Sequence, residues 1–316
     1  FLLAHDTDPF NKWDAGRMYL RDMIGRMVRE PDLAPEPELV SALAAVLEDE
    51  GLEPAFQAFA ISLPSVEDIF QDLRGQDFTA DPMAVHMARR RFDMAFAEAL
   101  PDLAARFDAL TIEGPYTPDA ASAGRRALRG RLLGLITRLD PDAQRAREVF
   151  AGADNMTVSM QALQLLVSAG HGTDALAAFY DRWRTDPNVL DKWFSVQAGM
   201  SPPDTAVEAV VALTEHPDFD WKTPNRFRSL IGGFAAGNTV GFHRADGAGY
   251  ALVTDWLLRL DPVNPPTAAR LAGVFETWRH YDEARQGLML TQLQRLADRP
   301  GLSKDMGEIV GRILAA

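Results

Sequence analysis

Apolar positions along the chain recur at the spacing of a single helix face. Leu39, Leu43, Val46 and Leu47 fall together, as do Val207, Val210, Val211 and Thr214. Met306, Ile309, Val310, Ile313 and Leu314 repeat the pattern near the C-terminus. No stretch of useful length alternates apolar and polar residues as a half-buried strand does. Asp–Pro pairs at Asp8, Asp81, Asp140, Asp186 and Asp261, and Thr–Pro pairs at Thr117 and Thr223, punctuate the pattern. Such pairs suit a helix start, because the capping side chain accepts an orphan N–H and proline has no N–H to lose. Some of these pairs are expected to mark only turns. Together with glycine stops at Gly51, Gly75 and Gly170, they divide the chain into roughly sixteen helices of about 8–25 residues with short links. Such a series predicts an all-α fold: stacked helical hairpins in an irregular, curved α-solenoid of ARM/HEAT type with a concave side. There is no strict sequence period. The clearest connectors are Leu33–Leu39 and Thr111–Asp119, so residues 1–316 read as one helical domain with any sub-division near 111–119.

Composition narrows the function classes. The chain has 316 residues, 47% apolar and 24% charged, an ordinary balance for a soluble globular protein. Its 45 acids outweigh 32 bases, and a net charge of −13 argues against a general nucleic-acid binder. The absence of cysteine excludes disulfides, cysteine-ligated zinc and thiol catalysis. It is compatible with a reducing compartment, and the cytoplasm is the expected location. No apolar run reaches the ~18 residues of a membrane span, and no signal-peptide pattern is visible. The chain opens at Phe1 inside a helical pattern, FLLAH, without an initiator methionine, and reads as a piece of a longer product.

The common catalytic signatures are missing. There is no His-Glu-x-x-His pair, Walker A loop or G-x-S-x-G elbow. GAGYAL (247–252) lacks the third glycine of a dinucleotide loop and follows no strand, so it reads as a loop entering a helix. Glu276 and His280 have the i, i+4 spacing of a helix surface pair, and no third ligand for zinc can be nominated. His243 reads as a structural hydrogen-bonding residue. In DKWFSVQAG (191–199), Trp193 and Phe194 read as core, with Asp191 and Lys192 at the wet end. Asn155 or Asp154 is the expected cap of DNMTVSMQAL, and Arg89, Arg90 and Arg91 of ARRRFD read as a solvated face.

Five stretches carry a resemblance. ADNMTVSMQAL (153–163), VLDKWFSVQA (189–198), PNRFRSLIGGFAAGN (224–238), FHRADGAGY (242–250) and AARLAGVFETWRHYDEARQ (268–286) resemble, in order, the C-terminal helical domain of the bacterial M1-family aminopeptidases. DPFNKWDAGR (8–17) resembles the start of that domain, so the likeness covers nearly the whole chain. The resemblance implies an all-helical, superhelical bowl that closes over a separate upstream catalytic domain and shapes the route for peptides and amino acids. It implies that zinc and its ligands belong to that domain, so no cofactor is expected in this chain and the chain alone is expected to be inactive. The implied partners are the catalytic and N-terminal domains of the same polypeptide and peptide substrates, with no nucleic acid and no membrane. It further places Arg228 and Arg270 where the family's domain contributes arginines to the cavity and channel wall. A stand-alone helical scaffold that binds peptide or protein segments in its groove is the alternative.

PNRFRSLIGGFAAGN carries two local costs. Cations in a first helical turn oppose the dipole by roughly 0.3–1 kcal/mol, and each glycine costs about 1 kcal/mol against alanine. With Asn225 as the cap, Arg226 and Arg228 lie in the first turn but not on one face. A guanidinium beside a helix N-terminus suits a carboxylate, which relieves the dipole cost, and Arg226 then leaves on the other side. Gly232, Gly233, Ala235 and Ala236 let the helix pack tightly. The competing reading is an arginine paired with an acid from a neighbouring helix.

Overall fold

The computed structural model describes residues 3, 6 and 8–315, so the helical reading of Phe1–His5 lies, Leu3 apart, outside the described residues. Among them are nineteen α-helical segments of 4 to 21 residues, one π turn and two 3₁₀ turns, with no strand. The fold is all-α, and its shortest helices fall below the expected range. Two compact units are present: Phe1–Ala80 with Ala84–His171, and Asp81–Met83 with Gly172–Ala316. The connector Thr111–Asp119 lies inside the first unit.

The first unit contains α1 (Pro9–Arg29), α2 (Pro37–Glu48), α3 (Pro54–Ala60), α4 (Val66–Gly75), most of α5 (Pro82–Ala99), α6 (Leu103–Ala109), α7 (Ala120–Leu139), α8 (Gln144–Gly152) and α9 (Met156–Ser168). Leu39, Leu43 and Val46 are buried as their spacing requires, while Leu47 is half-buried. Helix α7 meets α3 at Gly124, where a Cβ would stand 3.0 Å from the Ala55 nitrogen. Arg131 of α7 pairs with the buried Asp93 of α5 at 2.6 Å and donates to the Ile61 carbonyl at 3.0 Å. The ARRRFD run is not a solvated face. Arg89 and Arg91 are half-buried and donate to the carbonyls of Pro64 and Met27, each at 2.7 Å, leaving only Arg90 exposed. The Met27 carbonyl lies in the last turn of α1 and has no partner within the helix, a need that a long guanidinium can meet from a distance.

The second unit contains α10 (Thr173–Trp183), α11 (Pro187–Met200), α12 (Ala206–Thr214), α13 (Pro224–Phe227), the π turn Arg228–Gly232, α14 (Gly233–Gly237), α15 (Thr239–Phe242), α16 (Ala248–Leu260), α17 (Pro265–Ala272), 3₁₀ turns at Gly273–Phe275 and Trp278–His280, α18 (Glu283–Ala297) and α19 (Lys304–Ala315). Phe194, Phe227, Phe234, Phe242, Tyr250 and Phe275 are almost wholly buried. Val211 is 47% exposed, and Leu213 takes the buried place that periodicity assigned to it. Met306, Val310 and Ile313 form the inner face of α19.

Three of the five Asp–Pro pairs open helices. Asp8 accepts from the Phe10 N–H at 2.7 Å, Asp81 from Met83 at 2.7 Å and Asp186 from Asn188 at 2.9 Å. Asp140 and Asp261 instead follow the ends of α7 and α16. The Asp261 carboxylate accepts the Ser303 N–H at 2.9 Å, so proline there stops a helix. Asp119, not Thr117, caps α7. No helix among the described residues is long and apolar enough to cross a membrane.

Candidate arginine site

The stretch from Pro224 to Asn238 is not one helix. Thr223 is the residue before α13, without a side-chain cap, and Asn225 is the second helical residue, not the cap. The π turn follows, with the Gly233 N–H bonded to the Arg228 carbonyl five residues back. Its glycine-rich half serves close packing. A Cβ on Gly237 would stand 3.5 Å from Gly199 Cα of α11, and one on Gly233 would stand 3.5 Å from Ala198 Cβ. Ala236 is exposed and takes no part in that packing, and Gly232 lies over the stem of Arg228.

The two arginines have opposite environments. Arg226 is buried, its Nε 2.5 Å from Asp191 Oδ1 of α11, its Nη1 donating to the Asp218 carbonyl, and its guanidinium 4.9 Å from the centre of the Phe194 ring. The pairing of an arginine with a neighbouring acid thus exists, at Arg226. Asp191 is half-buried at that contact and not simply at the wet end of its helix. Arg228 is exposed. Its Nε donates to the Pro224 carbonyl at 3.1 Å and its Nη2 to Asn225 Oδ1 at 2.6 Å. Both acceptors are neutral, so the charge stays available to an anion while the side chain is held back over α13. Arg270 is exposed in the last turn of α17, where the dipole favours a cation. Neither Arg228 nor Arg270 forms an ion pair among the described residues.

FHRADGAGY builds a buried polar knot. His243 Nδ1 lies 2.9 Å from the Tyr250 hydroxyl and Nε2 lies 2.8 Å from the Tyr281 hydroxyl, with the Tyr281 ring stacked 4.0 Å away. Burial, helped by the Arg285 charge, pushes the His243 imidazole down to about 3. Arg285 Nε donates to the His243 carbonyl at 2.8 Å, and its Nη1 reaches Asp282 at 2.6 Å. His243 is therefore a structural hydrogen-bonding residue. GAGYAL is a loop entering α16: Gly247 has φ +73, and a Cβ on Gly249 would stand 2.4 Å from the Phe242 carbonyl oxygen. Glu276 and His280 do not share an α-helix, and Glu276 pairs with Arg312 at 3.3 Å. Asn155 caps α9, accepting the Val158 N–H at 3.0 Å. Among the described residues no group of three or more His, Asp or Glu could hold a metal ion.

These features define an all-α helical-repeat domain in whose second unit Arg228 and Arg270 are exposed and form no ion pair. Over residues 1–315 the chain matches, and belongs to, the family described as "Domain of unknown function (DUF3458_C) ARM repeats". It is 41% identical over 320 residues to aminopeptidase N of Caulobacter vibrioides, covering 99% of this chain and 36% of that protein. It is 33% identical over 328 residues to aminopeptidase N of Escherichia coli, covering 100% of this chain and 37% of that protein. The crystal structure of Legionella pneumophila aminopeptidase A in complex with aspartic acid superposes with a TM-score of 0.89 at 28% identity, over 99% of this chain and 38% of that one. The resemblance to the aminopeptidase N helical domain holds over the whole chain, which spans a little over a third of the length of these relatives.

Proposed function

We propose that this chain is the non-catalytic C-terminal domain of a zinc-dependent M1 aminopeptidase, a cytoplasmic enzyme that removes N-terminal residues from peptides. The domain caps the catalytic domain and shapes the substrate cavity and its access channel. Zinc and the residues that activate water belong to the rest of the polypeptide, whose catalytic and N-terminal domains are the partners. Arg228 and Arg270 face the cavity and attract the carboxylate end of a peptide while chemistry proceeds at its amino end. The observation that carries this reading is the contrast between the neighbouring arginines. Arg226 is neutralised by Asp191, whereas Arg228 is exposed with only neutral acceptors. A charge-assisted contact to a carboxylate there is worth roughly 1.5–3 kcal/mol when desolvated.

The first test uses the chain alone. Purified, it is expected neither to retain stoichiometric zinc nor to cleave an alanyl chromogenic substrate. Combined with the separately folded upstream region, it is expected to co-elute as a complex on size exclusion. Zinc-dependent turnover that co-purifies with the chain, free of host peptidase, contradicts the non-catalytic assignment. Two folded parts that stay apart contradict the capping role.

A further inference from the structure

The first unit contains a cavity of about 370 Å³ between α6, α7, α8 and the start of α9, which the reading above does not use. Its size is near the lower end for small-molecule sites, roughly 300–1,000 Å³. Its walls combine apolar side chains, Ile112, Tyr116 and Val158 among them, with three arginines, Arg126, Arg129 and Arg145, and two acids, Glu148 and Asp154.

The arginines are not equivalent. Arg126 is buried, donates to the Thr117 carbonyl at 2.7 Å and lies 4.4 Å from the Tyr116 ring centre. Arg145 is neutralised by Asp108 and by Glu148, the latter at 3.2 Å. Arg129 holds its guanidinium over the Phe107 ring, 4.0 Å from the ring centre, and makes no hydrogen bond or ion pair among the described residues. Its Nε is buried without a partner. Buried donors are almost always satisfied, so each orphan in a native fold requires an explanation. Burial and the neighbouring Arg145 charge both push the Arg129 guanidinium down from its ordinary value. An anion beside it would relieve both effects.

We propose that this cavity binds a small organic carboxylate with an apolar or aromatic body, its carboxylate taken by Arg129 and its body placed against Tyr116, Ile112 and Val158. A guanidinium held over an aromatic ring is already placed, so less side-chain freedom is lost on binding. The apolar walls select an organic acid over a bare inorganic anion. The site is independent of Arg228 and of the proposed peptidase role.

The probe is N-acetylphenylalaninate, titrated into the full chain by calorimetry beside its carboxamide analogue and inorganic phosphate. Saturable binding of the acid is expected, with the amide and phosphate each weaker by about tenfold or more. Arg129→Met keeps an apolar stem over Phe107 and is expected to weaken the acid by a similar factor. Arg129→Lys is expected to retain part of the affinity, and melting curves check the fold of both variants. The proposal is overturned by no saturable binding of the acid, by equal affinity for acid and amide, or by unchanged affinity in a folded Arg129→Met chain. Phosphate binding as tightly as the acid also overturns it, because the apolar walls would then contribute nothing. The acid–amide comparison needs no variant, so it decides the matter even if Arg129→Met fails to fold.

Discussion

Replacing Arg226 by alanine is expected to destabilise the second unit by about 3–5 kcal/mol, the range found when one partner of a buried ion pair is removed. Three groups lose their partner or contact together: the half-buried Asp191 carboxylate, the Asp218 carbonyl and the face of Phe194. For a unit of this size the loss corresponds to a fall in melting temperature of about 10 °C or more. Arg228→Ala, two residues on, is expected to change stability by no more than about 0.5 kcal/mol, since that side chain is exposed and bonded only to Pro224 and Asn225 of the adjoining α13. Thermal unfolding of the two variants side by side checks both statements. A double replacement, Arg226→Met with Asp191→Leu, is expected to recover much of the loss, because no charge is then left buried without a partner. A folded Arg226→Ala chain with an unchanged melting temperature contradicts the anchoring role.

His243→Phe is expected to cost about 2–4 kcal/mol at pH 7, because two buried tyrosine hydroxyls each lose their ring-nitrogen partner. This loss depends on pH in a definite direction. The folded imidazole titrates at about 3, against about 6.5 in the unfolded chain. Between those values the unfolded state binds the extra proton, so stability is fully present above pH 6.5 and declines as pH falls towards 3. At pH 4 the decline from this one group is on the order of 2–3 kcal/mol. His86, in the first unit, is pushed down to about 4 by burial and by Arg89, and its contribution has the same sign. Several carboxylates held low by hydrogen bonds, such as Glu36 with Tyr19, also lose stabilisation on acidification. The difference between wild type and His243→Phe isolates the single imidazole. Urea unfolding from pH 8 to pH 4 is expected to show the gap between the two chains narrowing as pH falls. A gap that stays constant or widens contradicts a buried neutral His243.

Much of this architecture is legible in the sequence. Helical periodicity gives the all-α class, because each helix buries one face regardless of its partner. Asp8, Asp81 and Asp186 mark true starts, since capping is local chemistry. Asp140 and Asp261 show the limit of that signal: both follow a helix end, the Asp140 carboxylate accepting the N–H groups of Asp142 and Arg145 just after it and the Asp261 carboxylate that of the distant Ser303. The arginines show the same limit more sharply. Arg226 and Arg228 share a local sequence, and only the packing of α11 beneath them decides which meets Asp191. Arg89 and Arg91 likewise look like surface residues until distant carbonyls reach them. The cavity at Arg129 leaves no local trace at all, since its walls come from four elements separated by up to about fifty residues.

The assignment of Arg228 is tested most directly by kcat/KM for a tripeptide with a free carboxylate and for an amino-acid anilide, each measured in the full polypeptide with and without Arg228→Ala. A loss of about tenfold or more on the tripeptide and little change on the anilide are expected, with the melting temperature preserved. Arg270→Ala is expected to act in the same direction, and the double variant to fall short of additivity where both hold one anion. Equal losses on the two substrates, or a collapse of the melting temperature in Arg228→Ala, would contradict the account and make that arginine structural.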